Sequence, residues 1–210
     1  MNETERRERR AEIEAAAFEL LQEVGYRKTS MLQIAKRARA SNQTLYSWYQ
    51  NKQDLFRSII EDNGRAVREH LEAALAGGGD PRRALAGLGP VLLRFTTDRK
   101  AVIINRAAVI DAAETGVLAR AIDEVGRDSL YPLIRSLMQR LIDTRCFDAR
   151  ADADVAAQTY VALLFGEAQL RLALGTIAPY DEQTIREQSR RAYELTCRLF
   201  DSVVGATAPR

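Results

Sequence analysis

Between Glu23 and Asp54 the 210-residue chain carries no acidic residue, yet that stretch holds Arg27, Lys28, Lys36, Arg37, Arg39 and Lys52, interleaved with Tyr26, Tyr46, Trp48 and Tyr49. Six cations without a counter-charge repel one another unless a polyanion neutralises them. Aromatic hydroxyls and amides among them supply further hydrogen bonds to such a partner, so the chemistry to expect is phosphate binding. Charge alone would sooner fit a solvated basic face. The apolar pattern beneath the charges decides between the two.

Other chemistry finds little support. His70 is the single histidine, and there is no phosphate-binding glycine loop, zinc-protease motif or nucleophile elbow. Asp111 with Glu114, and Asp123 with Glu124, fit an exposed helical face. Cys146 and Cys197 lack metal-ligand spacing and fit buried packing. No enzyme, metal or cofactor is expected.

The elements that must position the basic segment follow from periodicity. Ile13, Ala16, Ala17, Leu20, Leu21 and Val24 recur every three or four residues as one stripe of an amphipathic helix that stops at Gly25. Thr29 or Ser30 can cap a second helix carrying Met31, Ile34, Ala35 and Ala38, and Ser41 or Asn42 a third carrying Leu45 and Tyr49. Asn51 caps a fourth that begins with Leu55 and Ile59. Two short helices joined by a tight turn are helix-turn-helix geometry, with the second lying in the major groove. That helix presents Ser41, Asn42, Gln43, Thr44, Ser47 and Trp48 around Leu45, a polar set suited to base edges and phosphate oxygens.

From Ile13 to Phe56 the sequence IEAAAFELLQEVGYRKTSMLQIAKRARASNQTLYSWYQNKQDLF resembles the N-terminal domain of tetracycline-repressor-like (TetR/AcrR) transcription regulators. The resemblance rests on Gly25-Tyr26, on Thr29-Ser30 ahead of Ile34-Ala35, and on Thr44-Leu45-Tyr46 followed by Tyr49 and Asn51-Lys52. It implies DNA contacts from Thr29, Ser41, Asn42, Gln43, Thr44, Tyr46, Trp48 and Lys52. Thr44, Tyr46 and Lys52 are expected on phosphate, Asn42 and Gln43 on bases. The family usually has Gly-Val where this chain has Arg39-Ala40. An arginine in the left-handed conformation there would cost about 1 kcal/mol, or else the turn differs. Gln43 likewise stands where glycine is common.

Composition, 46% hydrophobic and 29% charged, permits a sizeable core in one or two domains. MNETERRERR holds no apolar run and no later stretch approaches membrane-spanning length, so a cytoplasmic protein without a membrane partner is expected. Ten Lys or Arg stand against seven Asp or Glu through Lys52, and 21 against 22 after it, which concentrates the positive charge in the N-terminal quarter. Arg6, Arg7, Arg9 and Arg10 can serve as an arm into a flanking groove.

Downstream the pattern stays helical. Asp80 and Pro81 open a helix after Gly77-Gly78-Gly79, another spans Arg99 to Ala113, and Val117 to Ile142 continues with a joint near Gly126. A penultimate helix runs from Asp152 or Asp154 to Leu174, and the last from Asp181 to about Val204. The expectation is an all-α chain of about nine helices: a three-helix DNA-binding domain over residues 1–52, and a larger helical domain for ligand binding and dimerisation over 53–210. The penultimate helix is apolar on two sides. That fits a core helix within one subunit or a dimer interface; the resemblance implies that the last two helices build the interface of a homodimer, and Ala162, Gly166, Ala173, Ala192 and Leu199 are expected there. Phe95, Asn105, Arg106, Tyr131, Phe165 and Gln169 are candidates to line a pocket for an apolar or aromatic inducer. The function expected is a repressor released from a palindromic double-stranded DNA operator by that small molecule. A helical adaptor binding acidic partners through its basic N-terminus is the alternative.

Overall fold

The computed structural model describes residues 2–202. Its helices are α1 (Glu3–Lys28), α2 (Met31–Arg37), α3 (Asn42–Trp48), α4 (Lys52–Ala76), α5 (Pro81–Thr97), α6 (Arg99–Asp111), α7 (Val117–Asp123), α8 (Tyr131–Asp143), α9 (Ala153–Phe165), α10 (Ala168–Leu174) and α11 (Glu182–Phe200), with a π-helical segment, Glu124–Leu130, between α7 and α8. Among the described residues the sole β pairing is an isolated bridge between Phe147 and Asp201. The all-α expectation holds. No described helix is long and apolar enough to cross a membrane.

The helices start where short-range capping dictates. Asn2, Ser30, Ser41, Asp80, Asp152 and Asp181 each accept a backbone N–H of the first turn, which satisfies donors the helix itself cannot. Asn51 Oδ1 likewise accepts from the Asp54 N–H at 2.9 Å. α1 kinks at Gly25, whose φ of 78° and ψ of 167° end the long helix where the sequence placed its stop.

The described residues form two compact units: 2–63 with Arg99–Val125, and Gly64–Asp98 with 126–202. This grouping places α6, α7 and the first turns of α4 with the N-terminal helices, beyond the sequence boundary at residue 52. In the first unit Ile13, Ala16, Ala17, Leu20 and Leu21 are buried with Ile34, Leu45, Leu55 and Phe56; Val24, assigned to the same stripe, is exposed. Tyr26 meets the edge of Phe56 at 5.4 Å between ring centres.

In the second unit α11 packs on α5 and α9, and α8 on α9. The α5–α11 approach is close enough that a Cβ at Gly89 would stand 2.9 Å from Ser189 Cβ. Arg140 donates to the carbonyls of Ala74 and Gly77, closing the end of α4. Two expectations need correction here. The penultimate helix is broken at Gly166 (φ 46°, ψ −122°) into α9 and α10, a positive-φ backbone that glycine adopts without the strain a side chain would bring. The last helix ends at Phe200; Val203, Val204 and the tail from Gly205 lie outside the described residues.

Candidate nucleic-acid interface

The turn between α2 and α3 closes in a Schellman arrangement: the Ala40 N–H bonds to Ala35 O at 2.9 Å and the Arg39 N–H to Lys36 O at 3.3 Å. This requires a left-handed residue, and Arg39 supplies it at φ 50°. The chain makes this turn with an arginine and bears the strain of a side chain there. Arg9 secures the same turn by donating to the Arg39 carbonyl.

α3 is held by one buried anchor, Leu45, and by its own cap. Ser41 Oγ accepts from the Thr44 N–H at 2.9 Å and bonds the Thr44 hydroxyl at 2.8 Å, while Ser47 Oγ donates to Thr44 O. Asn42, Gln43 and Tyr46 stand outward on the exposed edge, Tyr46 at 56% exposure. Trp48 is half-buried with the Arg6 guanidinium 6.0 Å from its ring centre. Tyr49 turns inward and donates to Glu14 Oε1 at 3.2 Å; burial pushes its pKa up.

The structure revises several assignments around this edge. Thr29, expected to face DNA, is 2% exposed, and its hydroxyl donates to Gly25 O at 2.8 Å, so it locks the kink after α1. Lys52 Nζ donates to Tyr26 O at 2.7 Å and sits 4.1 Å from the Tyr26 ring centre. Burial lowers its pKa, and Asp111 opposes that shift. One face of the ammonium thus caps the kinked end of α1. The arginines expected to form an arm lie within α1 instead: Arg10 reaches Glu14 at 2.8 Å and Asp62 at 2.7 Å.

The acid-free stretch of sequence is not acid-free in space. Arg37 grips Glu23 through two bonds of 2.6 and 2.8 Å, which lowers the pKa of that carboxylate, and Arg27 pairs with Glu114 at 2.9 Å. Lys28, Lys36 and Arg39 remain exposed outside these pairs.

Of the pocket candidates, Asn105 and Arg106 fall in the first unit, and Phe95, Tyr131, Phe165 and Gln169 in the second. Tyr131 donates to the Asp154 carboxylate at 3.0 Å. Arg106 is exposed and lines a groove of about 500 Å³ between α1 and α6, walled by Leu21, Val24, Ile103 and Ile110. Sequence reasoning missed this groove. It also placed Asp111 on an exposed face, whereas Asp111 is 3% exposed and builds the α6–α7 turn, its Oδ2 accepting from Thr115 Oγ1 at 2.6 Å and the Val117 N–H at 3.1 Å.

Among the expected interface residues, Ala162, Gly166 and Leu199 are exposed, Leu199 at 64%, and Ala173 is half-buried. Ala192 is 0% exposed and belongs to the core of its own subunit, so it is withdrawn from the set. Val155, Leu170 and Leu174 add exposed apolar surface on α9 and α10.

Comparison with known proteins matches this architecture. Residues 13–59 match the bacterial regulatory proteins of the tetR family, and residues 83–201 the C-terminal domain of AefR-like transcriptional repressors. An uncharacterized HTH-type transcriptional regulator, YvkB, of Bacillus subtilis (strain 168) is 26% identical over 165 residues, covering 76% of this chain and 81% of its own. The structure of the flavonoid-responsive regulator FrrA is similar at a TM-score of 0.67 and 25% identity, covering 94% of this chain and 99% of the other. FadR from Bacillus subtilis in complex with stearoyl-CoA shares the fold at a TM-score of 0.68 and 17% identity, with coverage of 89% and 97%. A capped α3 standing out from a Schellman turn, joined to a helical C-terminal region, thus has a known setting: the chain belongs to the TetR family and is a DNA-binding helix-turn-helix transcription regulator.

Proposed function

We propose that this regulator is a homodimeric repressor that holds a palindromic operator and releases it when a small apolar or aromatic inducer binds. Residues 1–52 read DNA; the remainder carries dimerisation and ligand response. The observation that carries the reading is the outward edge of α3. Asn42, Gln43 and Tyr46 are exposed on a helix fixed by Leu45 and the Ser41 cap, so polar groups stand ready for a groove without reorganisation. Exposed Leu199, Leu170 and Val155 supply the apolar surface a partner subunit would cover. Relatives named for a flavonoid response and seen with stearoyl-CoA support an inducer with a large apolar body. Release requires only that the inducer prefer the conformation that does not hold DNA, with a coupling of about 1–3 kcal/mol.

Two recognition helices related by a two-fold axis read both half-sites only when these are spaced by whole duplex turns, about 34–36 Å for one turn. Footprinting on an inverted repeat and on a version lengthened by five base pairs tests this. Tight binding should vanish on the lengthened site; unchanged affinity would mean that each subunit binds alone. Gln43→Ala should lose discrimination at one base position by about 1–3 kcal/mol, and equal loss on random DNA would remove Gln43 from base reading.

A further inference from the structure

The groove between α1 and α6 has a floor that its walls do not explain. Tyr26 and Asp111 both line it and both are more than nine-tenths buried. Tyr26 Oη and Asp111 Oδ1 nevertheless lack any hydrogen-bond partner. Buried polar groups are ordinarily paired, and one left unpaired carries its full desolvation penalty. Thr115 and Val117 hold Asp111 through Oδ2, which leaves Oδ1 unpaired. The two orphans are one donor, the phenol O–H, and one acceptor, the carboxylate oxygen.

Above that floor the groove is apolar. Leu21, Val24, Ile103 and Ile110 form its sides, and Ile110 projects strongly into solvent. Arg27, Lys28 and Arg106 stand at the rim, with Glu114 paired to Arg27, so the surroundings are net positive. A cationic head would be repelled here although a carboxylate lies below. A neutral hydroxyl suits both orphans at once, because it accepts from Tyr26 and donates to Asp111.

We propose that this groove is a binding site for hydroxyl-bearing aromatic compounds, phenols above all, with the ring between Val24 and Ile110 and the hydroxyl bridging Tyr26 Oη and Asp111 Oδ1. This rests on the reading of the chain as a ligand-responsive repressor, and it adds a site at the DNA-binding end to the ligand response that the larger helical region carries. The link to DNA is short. Tyr26 offers its carbonyl and ring face to Lys52 at the start of α4, so any ligand that shifts Tyr26 shifts the residue that opens the helix behind α3.

The test uses 2-naphthol and naphthalene as probes, titrated into the full-length protein by calorimetry and by competition with operator DNA. 2-Naphthol should bind at least about tenfold more tightly than naphthalene and weaken operator binding, since one satisfied pair of buried hydrogen bonds separates the two probes. Tyr26→Phe removes an unpaired hydroxyl, so the variant should melt at or above the wild-type temperature while losing that tenfold preference. Ile110→Lys, at an exposed rim position, should weaken both probes. Failure of 2-naphthol to bind at all, or a preference untouched by Tyr26→Phe, overturns the site. Loss of 2-naphthol binding on Phe165→Ala with none on Tyr26→Phe would overturn the groove while leaving ligand-responsive repression in place.

Discussion

Replacing Gly25 by alanine isolates the backbone strain on which the DNA-binding end is built. Gly25 sits at φ 78° and ψ 167°, a region occupied essentially by glycine alone. A Cβ added there would meet nothing within 4 Å, so no clash contributes and the effect is conformational. Holding alanine in that region costs about 1–3 kcal/mol, offset by about 0.4–1 kcal/mol because alanine leaves the unfolded chain less freedom to lose. The net expectation is a loss of about 1–2 kcal/mol, or a melting temperature lower by about 2–8 °C for a chain of this size. Gly126→Ala is the matched control. Its Cβ also meets nothing, and its φ is not in the left-handed range, so only the gain of about 0.4–1 kcal/mol applies and the sign reverses. Thermal melts of both variants at one protein concentration, which matters if the chain associates, read the two numbers. If Gly25→Ala melts at or above the wild type while Gly126→Ala rises as expected, the kink after α1 is not a glycine-enforced feature and the account of how Tyr26 is presented to Lys52 fails.

Three further outcomes follow from the same geometry. Ala162→Glu or Leu199→Glu places a charge on the exposed apolar surface of α9 or α11 and should give monomers in sedimentation, whereas Ala192→Glu should unfold the subunit; a wild type that is monomeric at micromolar concentration would defeat the interface assignment. Tyr26 has its pKa raised by burial to about 12, against about 10 when unfolded, so its contribution to stability is complete below pH 10 and is lost as pH rises towards 12; denaturation curves across that window should show the loss, and Tyr26→Phe should reduce it. Lys52→Ala should lower the melting temperature, because its ammonium bonds Tyr26 O, and, if the proposed phosphate contact is made, the affinity for all DNA sequences as well; a lowered melting temperature with an unaltered salt slope would make Lys52 purely structural.

What the sequence disclosed was short-range. Caps at Ser30, Ser41, Asn51 and Asp80 bond within three residues of themselves, so the residue type and its distance to the next apolar position suffice to find them. Gly25 was legible for the same reason; at Arg39 the sequence left open whether the residue bears the strain or the turn differs, and its φ of 50° decides for the first. The failures come where a partner lies four or more residues away along the chain, or where two arrangements share one helical periodicity. Thr29 is a plausible DNA ligand until Gly25 O is seen 2.8 Å away. Asp111 and Glu114 look alike at a spacing of three, yet one is buried in the α6–α7 turn and the other is exposed and pairs with Arg27. Ala162 and Ala192 are equally small, and only packing shows that the first faces outward and the second into the core.

The charge of the DNA-binding end shows how much the difference matters, because salt dependence counts cations that meet phosphate. Each contact contributes about −0.9 to the slope of log K against log salt. The six cations between Glu23 and Asp54 would give twelve contacts in a dimer and a slope of about −11 if all met DNA. In space Arg37 is held by Glu23 and Arg27 by Glu114, and Lys52 is partly committed to Tyr26 O. Lys28, Lys36 and Arg39 leave six contacts and a slope of about −5, or about −7 if Lys52 also reaches phosphate. Single variants separate the two counts: Lys36→Ala should flatten the slope by about 2 units per dimer, and Arg37→Ala should leave it unchanged. Binding isotherms on one operator from low to physiological salt measure both. A wild-type slope near −11, with Arg37→Ala as damaging as Lys36→Ala, would mean that the Glu23 and Glu114 pairs open on DNA and that the resting ion pairs do not govern the interface.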